Sequence, residues 1–175
     1  MVNIKKIIVT GSSSGIGNSI TKTLIKNKIK VIGISRNKDK NVIKSKYFQS
    51  EEIDLSELKN IPMKIEKVLD QNEDVEGLIS CAGVGNFGNI ENFSVDKILS
   101  SIHTNLLSHV ILTKYLVPFL KKKNKGNLIY IGSESALNGG KKGSLYSVAK
   151  FGLRGFTQSI RAEVASRNIT VTLIN

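Results

Sequence analysis

The chain has 175 residues, 40% apolar and 23% charged, a length and composition that suit one globular domain with a sizeable core and exclude disordered and fibrous classes. The net charge is +12, with a pI near 9.8, but the excess is almost all lysine, scattered without interleaved aromatics, so no nucleic-acid partner is expected. The single cysteine, Cys81, excludes an internal disulfide, and no run approaches the ~20 apolar residues of a membrane span, so the chain is expected to be cytoplasmic and off the membrane.

Short apolar runs alternate with amphipathic stretches. Residues 4–10 form a β-branched run that stops at Gly11 and predict a buried strand. Residues 16–27 carry helical periodicity, 29–34 predict a second strand and 47–53 a weaker third. Residues 56–70 predict a helix, with Ser56 placed to cap it. A fourth strand is expected over 75–81, a glycine-rich loop over 83–88, and a long helix, in one or two pieces, over 94–122. The lysines of 121–125 follow that helix, where cations suit its C-terminal dipole. A fifth strand over 127–132, a second glycine-rich loop over 137–143, a helix over 145–166 and a sixth strand over 169–174 complete the pattern.

Strands that are apolar throughout belong to a sheet covered on both faces. Alternation with helices implies right-handed βαβ units. The expected fold is α/β, a Rossmann-like doubly wound parallel sheet in three layers, with ligands at the carboxyl ends of its strands.

The turn between the first strand and first helix reads Thr10-Gly11-Ser12-Ser13-Ser14-Gly15-Ile16-Gly17. A pyrophosphate needs close backbone N–H groups and a helix N-terminus aimed at it. Glycines permit the tight turn, the close approach and the helix–strand contact. Gly11, Ser12, Ser14, Gly15, Ile16 and Gly17 are therefore candidate contacts to a dinucleotide.

An acidic residue after the second strand would hold a ribose 2′-hydroxyl. Here Ser35-Arg36-Asn37 carries none. Arg36 is either a surface arginine or the partner of a 2′-phosphate, whose geometry a guanidinium matches.

Tyr146 and Lys150 lie four apart on a predicted helix and share one face. A free tyrosine is a poor acid–base group at neutral pH, and a neighbouring ammonium favours its phenolate. Alone, a Tyr-x-x-x-Lys pair is also what surface decoration looks like. Ser133, just after the fifth strand, has a hydroxyl able to stabilise charge on a substrate oxygen.

Taken together these segments resemble the short-chain dehydrogenase/reductase family. Its phosphate loop reads Thr-Gly-x-x-x-Gly-x-Gly, and its Ser-to-Tyr spacing is the thirteen residues between Ser133 and Tyr146. The resemblance runs from Lys5 to Asn175. It implies catalytic roles for Tyr146, Lys150, Ser133 and Asn105, the last holding a water in a proton relay; Asn105 also reads as a polar residue of an amphipathic helix.

The family's small residue followed by Arg after the second strand points to NADP, with NAD the weaker candidate. Asp54 matches an adenine-binding aspartate, although it could equally cap the following helix. Leu78-Ile79-Ser80-Cys81-Ala82-Gly83 matches the family's Asn-Asn-Ala-Gly only at Ala82 and Gly83, which join the cofactor-binding set with Tyr146 and Lys150. Cys81 reads as a buried small hydrophobe, and His103 and His109 as structural. No metal site is expected.

The implied activity is interconversion of a small-molecule carbonyl and a secondary alcohol by hydride transfer, in a homodimer or homotetramer paired through the two long helices. Family members continue past the sixth strand with a loop over nicotinamide and substrate. Residues 1–175 are accordingly expected to be one NAD(P)-binding domain, C-terminally shortened. The alternative is a cofactor-binding regulator, or a fragment needing a partner for its lid, with no turnover of its own.

Overall fold

The structure, a computed structural model, describes residues 5–37 and 43–175. Six strands form one parallel sheet: β1 (Lys6–Thr10), β2 (Lys30–Ser35), β3 (Phe48–Glu52), β4 (Val75–Ser80), β5 (Gly126–Ile131) and β6 (Ile169–Ile174), in spatial order β3-β2-β1-β4-β5-β6. This is the doubly wound Rossmann-like arrangement expected. Of the predicted first strand, Ile4 lies outside the described residues. The chain reverses direction across the sheet between β1 and β4, so the loops after these strands diverge and open a cleft above their carboxyl ends.

Among the described residues the helices are α1 (Gly15–Lys26), α2 (Ile61–Asp70), α3 (Val95–Ile102), α4 (Ser108–Lys123) and α5 (Ser144–Glu163); all but α3 pack on the sheet, and α3 rests against α5. The period-2 alternation of each strand divides its residues between two cores. Ile8, Ile32, Ile34, Leu78, Leu128 and Tyr130 face α2, α4 and α5, where Ile65, Leu112, Leu116 and Leu153 are wholly buried. Ile7, Val9 and Val31 face α1 through Ile20, Leu24 and Ile25.

The two faces are not equally covered. Among the described residues α1 lies over β1 and β2, while Ile129 and Ile131 on the same face of β5 are only half-buried. Their apolar character nevertheless reads as two-sided burial in sequence.

Inside the larger core the Tyr130 hydroxyl and Thr113 Oγ1 lie 2.6 Å apart. Burial pushes the Tyr130 phenol up to about 12, against the opposing hydrogen bond from Thr113. The tyrosine therefore stays neutral and serves as packing with one satisfied polar atom.

One helical expectation is corrected, and another is resolved into two pieces. The 56–70 segment begins as a 3-10 turn at Leu58–Asn60, and α2 starts only at Ile61, with Pro62 in its first turn. Ser56 caps nothing: the Asp54 carboxylate accepts from both the Ser56 N–H at 2.9 Å and its hydroxyl at 2.7 Å. A short carboxylate bonding its own backbone two residues on competes with helix initiation.

The 94–122 segment is two helices joined by a π turn, His103–Leu107. α4 ends at Asn124 in the left-handed conformation, after Lys121, Lys122 and Lys123. Lys123 Nζ donates to the Val75 carbonyl at 2.8 Å and also reaches the Glu73 carbonyl, while Lys125 pairs with Glu76 at 3.0 Å. Two of these lysines thus tie α4 to the start of β4.

Candidate active site

The first glycine turn is held by its own strain-free chemistry. Gly11 (φ +71°) and Gly15 (φ +53°) adopt the left-handed backbone that glycine tolerates. Gly17 permits contact instead: a Cβ there would lie 2.3 Å from the Gly11 carbonyl oxygen. The Gly11 and Ser12 N–H groups donate to the Ile34 carbonyl, at 2.9 and 3.3 Å. Ser12 is buried, its hydroxyl turned to that same carbonyl at 3.4 Å, beneath the loop rather than in the cleft. Ser14, Gly15 and Ile16 are exposed at the mouth.

The loop after β4 forms the opposite wall. Thr10 Oγ1 accepts from the backbone N–H groups of Cys81 and Ala82, both at 2.9 Å. Asn105, fully buried in the π turn, holds the next residues: its carbonyl oxygen accepts from Val84 N at 2.8 Å, and its amide donates to Val84 O at 3.0 Å and Ser101 Oγ at 3.2 Å. Both amide hydrogens are therefore used inside the protein, and the side chain acts as a clamp on loop 83–85. The Thr10 anchor was not foreseen in the sequence, where Thr10 reads only as the last strand residue.

α5 brings Tyr146 and Lys150 to the same place. Lys150, 3% exposed, donates to the Ile131 carbonyl at 2.8 Å, and its ammonium lies 5.6 Å from the Tyr146 ring centre. Burial draws the Lys150 ammonium below the usual lysine range, opposed by the Cys81 thiol. Cys81 is itself only half-buried and lines the cleft, not a core hydrophobe as the sequence suggested; burial pushes its thiol up, opposed by Lys150.

Phe87, 63% exposed, tilts onto Tyr146 with ring centres 5.4 Å apart. The Gly88 N–H donates to the Lys142 carbonyl at 2.7 Å, joining the two glycine-rich loops beside it. Phe87 was missed in the sequence; an aromatic between glycines was its one signal.

Ser133 follows β5 and caps the 3-10 turn Glu134–Ala136, its hydroxyl accepting from Ser135 N at 3.1 Å. Its backbone N–H donates to the Asn175 side chain at 3.3 Å.

Two adjoining cavities result. One, about 360 Å³, has Gly11, Ser14, Gly15, Ile16 and Gly17 on one side and Ala82, Gly83, Tyr146 and Lys150 on the other. The second, about 210 Å³, continues past Gly11 and Ser14 to Arg36, Asp54, Ala82 and Gly83. The structure thus gathers these predicted residues around one groove, while the side chains of Ser12 and Asn105 serve its scaffold. Left-handed glycines at a helix N-terminus, with open space about Gly15 and with Gly17 holding the helix close to the loop, fit a pyrophosphate between the cavities.

His109 lies behind Lys150. It is wholly buried, with Nδ1 bonded to Ser80 Oγ and Nε2 lacking a partner. Burial and then the Lys150 charge push its pKa down to about 3, against a contact with the Ala82 backbone. The unfolded chain, with histidine near 6.5, binds more protons than the native state between these values, so stability is lost as pH falls from about 6.5 towards 3. Urea melts at pH 7 and 5 should show this loss in the native sequence and less of it in His109→Asn.

Among the described residues no His/Cys/Asp/Glu group is arranged to hold a metal ion, and no helix is long and apolar enough to cross a membrane.

A parallel doubly wound sheet with a glycine turn at its switch point is a nucleotide-binding architecture. The family model described as short chain dehydrogenase matches residues 5–175. The chain belongs to the short-chain dehydrogenase family. It is 33% identical to 3-oxoacyl-[acyl-carrier-protein] reductase FabG of Buchnera aphidicola, over 99% of this chain and 73% of the relative. It is 31% identical to the NADP-dependent 3-hydroxy acid dehydrogenase of Schizosaccharomyces pombe, over 95% and 68% of the two chains.

A metagenomic short-chain oxidoreductase solved in complex with NADP superimposes with a TM-score of 0.91 at 25% identity, covering 98% of this chain and 81% of that one. A Streptomyces avermitilis short-chain dehydrogenase shares the fold with a TM-score of 0.92 at 23% identity; this chain covers 64% of its length.

Proposed function

We propose that the chain is one NADP(H)-binding domain of an oxidoreductase that interconverts a carbonyl and a secondary alcohol. The observation that carries this reading is the shared cleft: Tyr146 and Lys150 face the glycine turn across one cavity. A nicotinamide dinucleotide bound there supplies or accepts the hydride. Tyr146 donates a proton to the carbonyl oxygen or removes one from the alcohol. Lys150, its ammonium held by the Ile131 carbonyl, stabilises negative charge on the phenolic oxygen and holds the cofactor ribose. Ser133 orients the substrate oxygen, with its own hydrogen free to donate. Asn105 keeps loop 83–85 in place beside Lys150, the support a water relay needs.

The names of two relatives, a 3-oxoacyl reductase and a 3-hydroxy acid dehydrogenase, share an oxygen at carbon 3 of an acyl chain. Such acyl compounds are the first substrates to try. Loss of NADPH absorbance over a panel of 3-oxoacyl thioesters and simple ketones tests the reading. Turnover supports it; tight NADPH binding without turnover on any of them supports the cofactor-binding regulator instead.

NADP is favoured over NAD because Ser35-Arg36-Asn37, at the end of β2, carries no carboxylate, and Ser35 and the exposed Arg36 border the adenosine-side cavity. Arg36→Ala should weaken NADPH by about tenfold and leave NADH nearly unchanged, as expected for loss of one charged hydrogen bond. Fluorescence titration with both cofactors measures it; equal losses for the two would overturn the assignment.

Self-association through the long helices is part of the same proposal. Leu107, Val148 and Phe151 are exposed on the π turn and α5, an apolar surface suited to burial against a second copy.

A further inference from the structure

The adenosine-side cavity carries features that the family pattern does not assign. Beside the glycine turn, it is walled by the end of β2, the loop after β3, the loop after β4, and α3 with the π turn that follows it. Arg36 supplies a cation from the first. Lys97 supplies another from α3, and its backbone N–H is already held by the Ser94 hydroxyl at 3.2 Å. The one carboxylate in the lining, Asp54, is turned to the Ser56 N–H and hydroxyl. Arg36 and Lys97 make no ion pair among the described residues, so the lining carries two cations against the single Asp54 carboxylate, an excess of positive charge.

Asn86 lines the same cavity. It is 9% exposed, and its side-chain Nδ2 has no hydrogen-bond partner. A buried donor left unpaired costs stability unless something supplies an acceptor.

We propose that Lys97 and Asn86 are specificity-determining residues for a phosphorylated adenosine, Lys97 sharing the 2′-phosphate with Arg36 and Asn86 donating to an adenosine acceptor. A phosphate monoester carries close to two negative charges at neutral pH. One guanidinium leaves about half of that unmatched. An ammonium from another element lining the same cavity of about 210 Å³ answers the remainder without needing the planar geometry of arginine. Asn86 answers a different need: it recognises the nucleoside whether or not the extra phosphate is present.

This assignment rests on the dinucleotide reading above, and its test separates the two. Calorimetric titration of the intact chain with adenosine 2′,5′-bisphosphate and with adenosine 5′-monophosphate reads the adenosine end without any turnover. The native chain should prefer the bisphosphate. Lys97→Ala should cut that preference about tenfold by weakening the bisphosphate alone, and Lys97→Arg should restore it. Asn86→Ala should weaken both probes alike, with Asn86→Ser as a milder variant if the first folds poorly. An unchanged preference in Lys97→Ala, or unchanged affinities in both Asn86 variants, would overturn the corresponding assignment while leaving the dinucleotide reading intact. If the native chain bound neither probe, both would fall together.

Discussion

Tyr146→Phe should abolish nearly all turnover, a loss of about 10²–10⁴-fold, as is typical when a positioned proton donor is removed. The substitution deletes one oxygen and keeps the ring. The ring's contacts are with Phe87, 5.4 Å between centres, and with the Lys150 ammonium, 5.6 Å from its centre. Both survive in phenylalanine. Tyr146 is half-buried and its hydroxyl has no hydrogen-bond partner among the described residues, so the fold should lose little.

The expected signature is therefore a collapse of kcat with NADPH affinity and melting temperature close to those of the native chain. Lys150→Met makes the complementary comparison. It leaves the Ile131 carbonyl without its donor in a nearly closed site, so stability and cofactor affinity should both suffer. Equal turnover by Tyr146→Phe and the native chain would remove the proposed chemistry and leave a nucleotide-binding protein.

Gly17→Ala should be the most damaging single methyl group in the cofactor loop. Its Cβ would lie 2.3 Å from the Gly11 carbonyl oxygen, 2.8 Å from the Gly11 carbonyl carbon and 3.0 Å from the Thr10 carbonyl oxygen. All three are backbone atoms, with no side-chain rotation to relieve the overlap. Helix α1 must back away from β1, and it carries the N-terminus that faces the cleft.

Overpacking of this kind costs about 1–3 kcal/mol, and a displacement near 1 Å at a binding site can cost about 100-fold. Calorimetry should show a lowered melting temperature, and titration with NADPH an affinity reduced by about that factor. Gly139→Ala is the control: nothing lies within 4 Å of its added Cβ and its φ is ordinary. Gly15→Ala falls between, since its surroundings are open but its φ of +53° is strained for alanine. An unaltered NADPH affinity in Gly17→Ala would refute the close-approach role of this residue.

Much of this site was legible in the sequence because its parts are local. The turn at Gly11, Gly15 and Gly17 is encoded by where a Cβ is intolerable and where φ must be positive, and both conditions act within a few residues. Tyr146 and Lys150 share a face because one helical turn separates them. Elements failed to be legible where a side chain finds a partner outside its own segment. Asp54 captures Ser56 and delays α2 to Ile61. Asn105 looks like a polar residue of an amphipathic helix until the π turn sets its amide against Val84. Ser12 belongs to the phosphate-loop motif, yet its hydroxyl is directed to Ile34 across the adjacent strand.

The residue order alone determined the parallel α/β sheet, because buried strands separated by amphipathic helices have few other ways to cover both faces and connect right-handedly. It also determined the family, through motifs whose spacing is a property of the chain. Tertiary structure decided which residues share a cavity. Lys97 and Asn86 come to Arg36 from positions about fifty residues and more away in sequence, and Phe87 comes to Tyr146 from another loop. Such meetings depend on how the sheet orders its strands and where its loops diverge, so no local pattern records them.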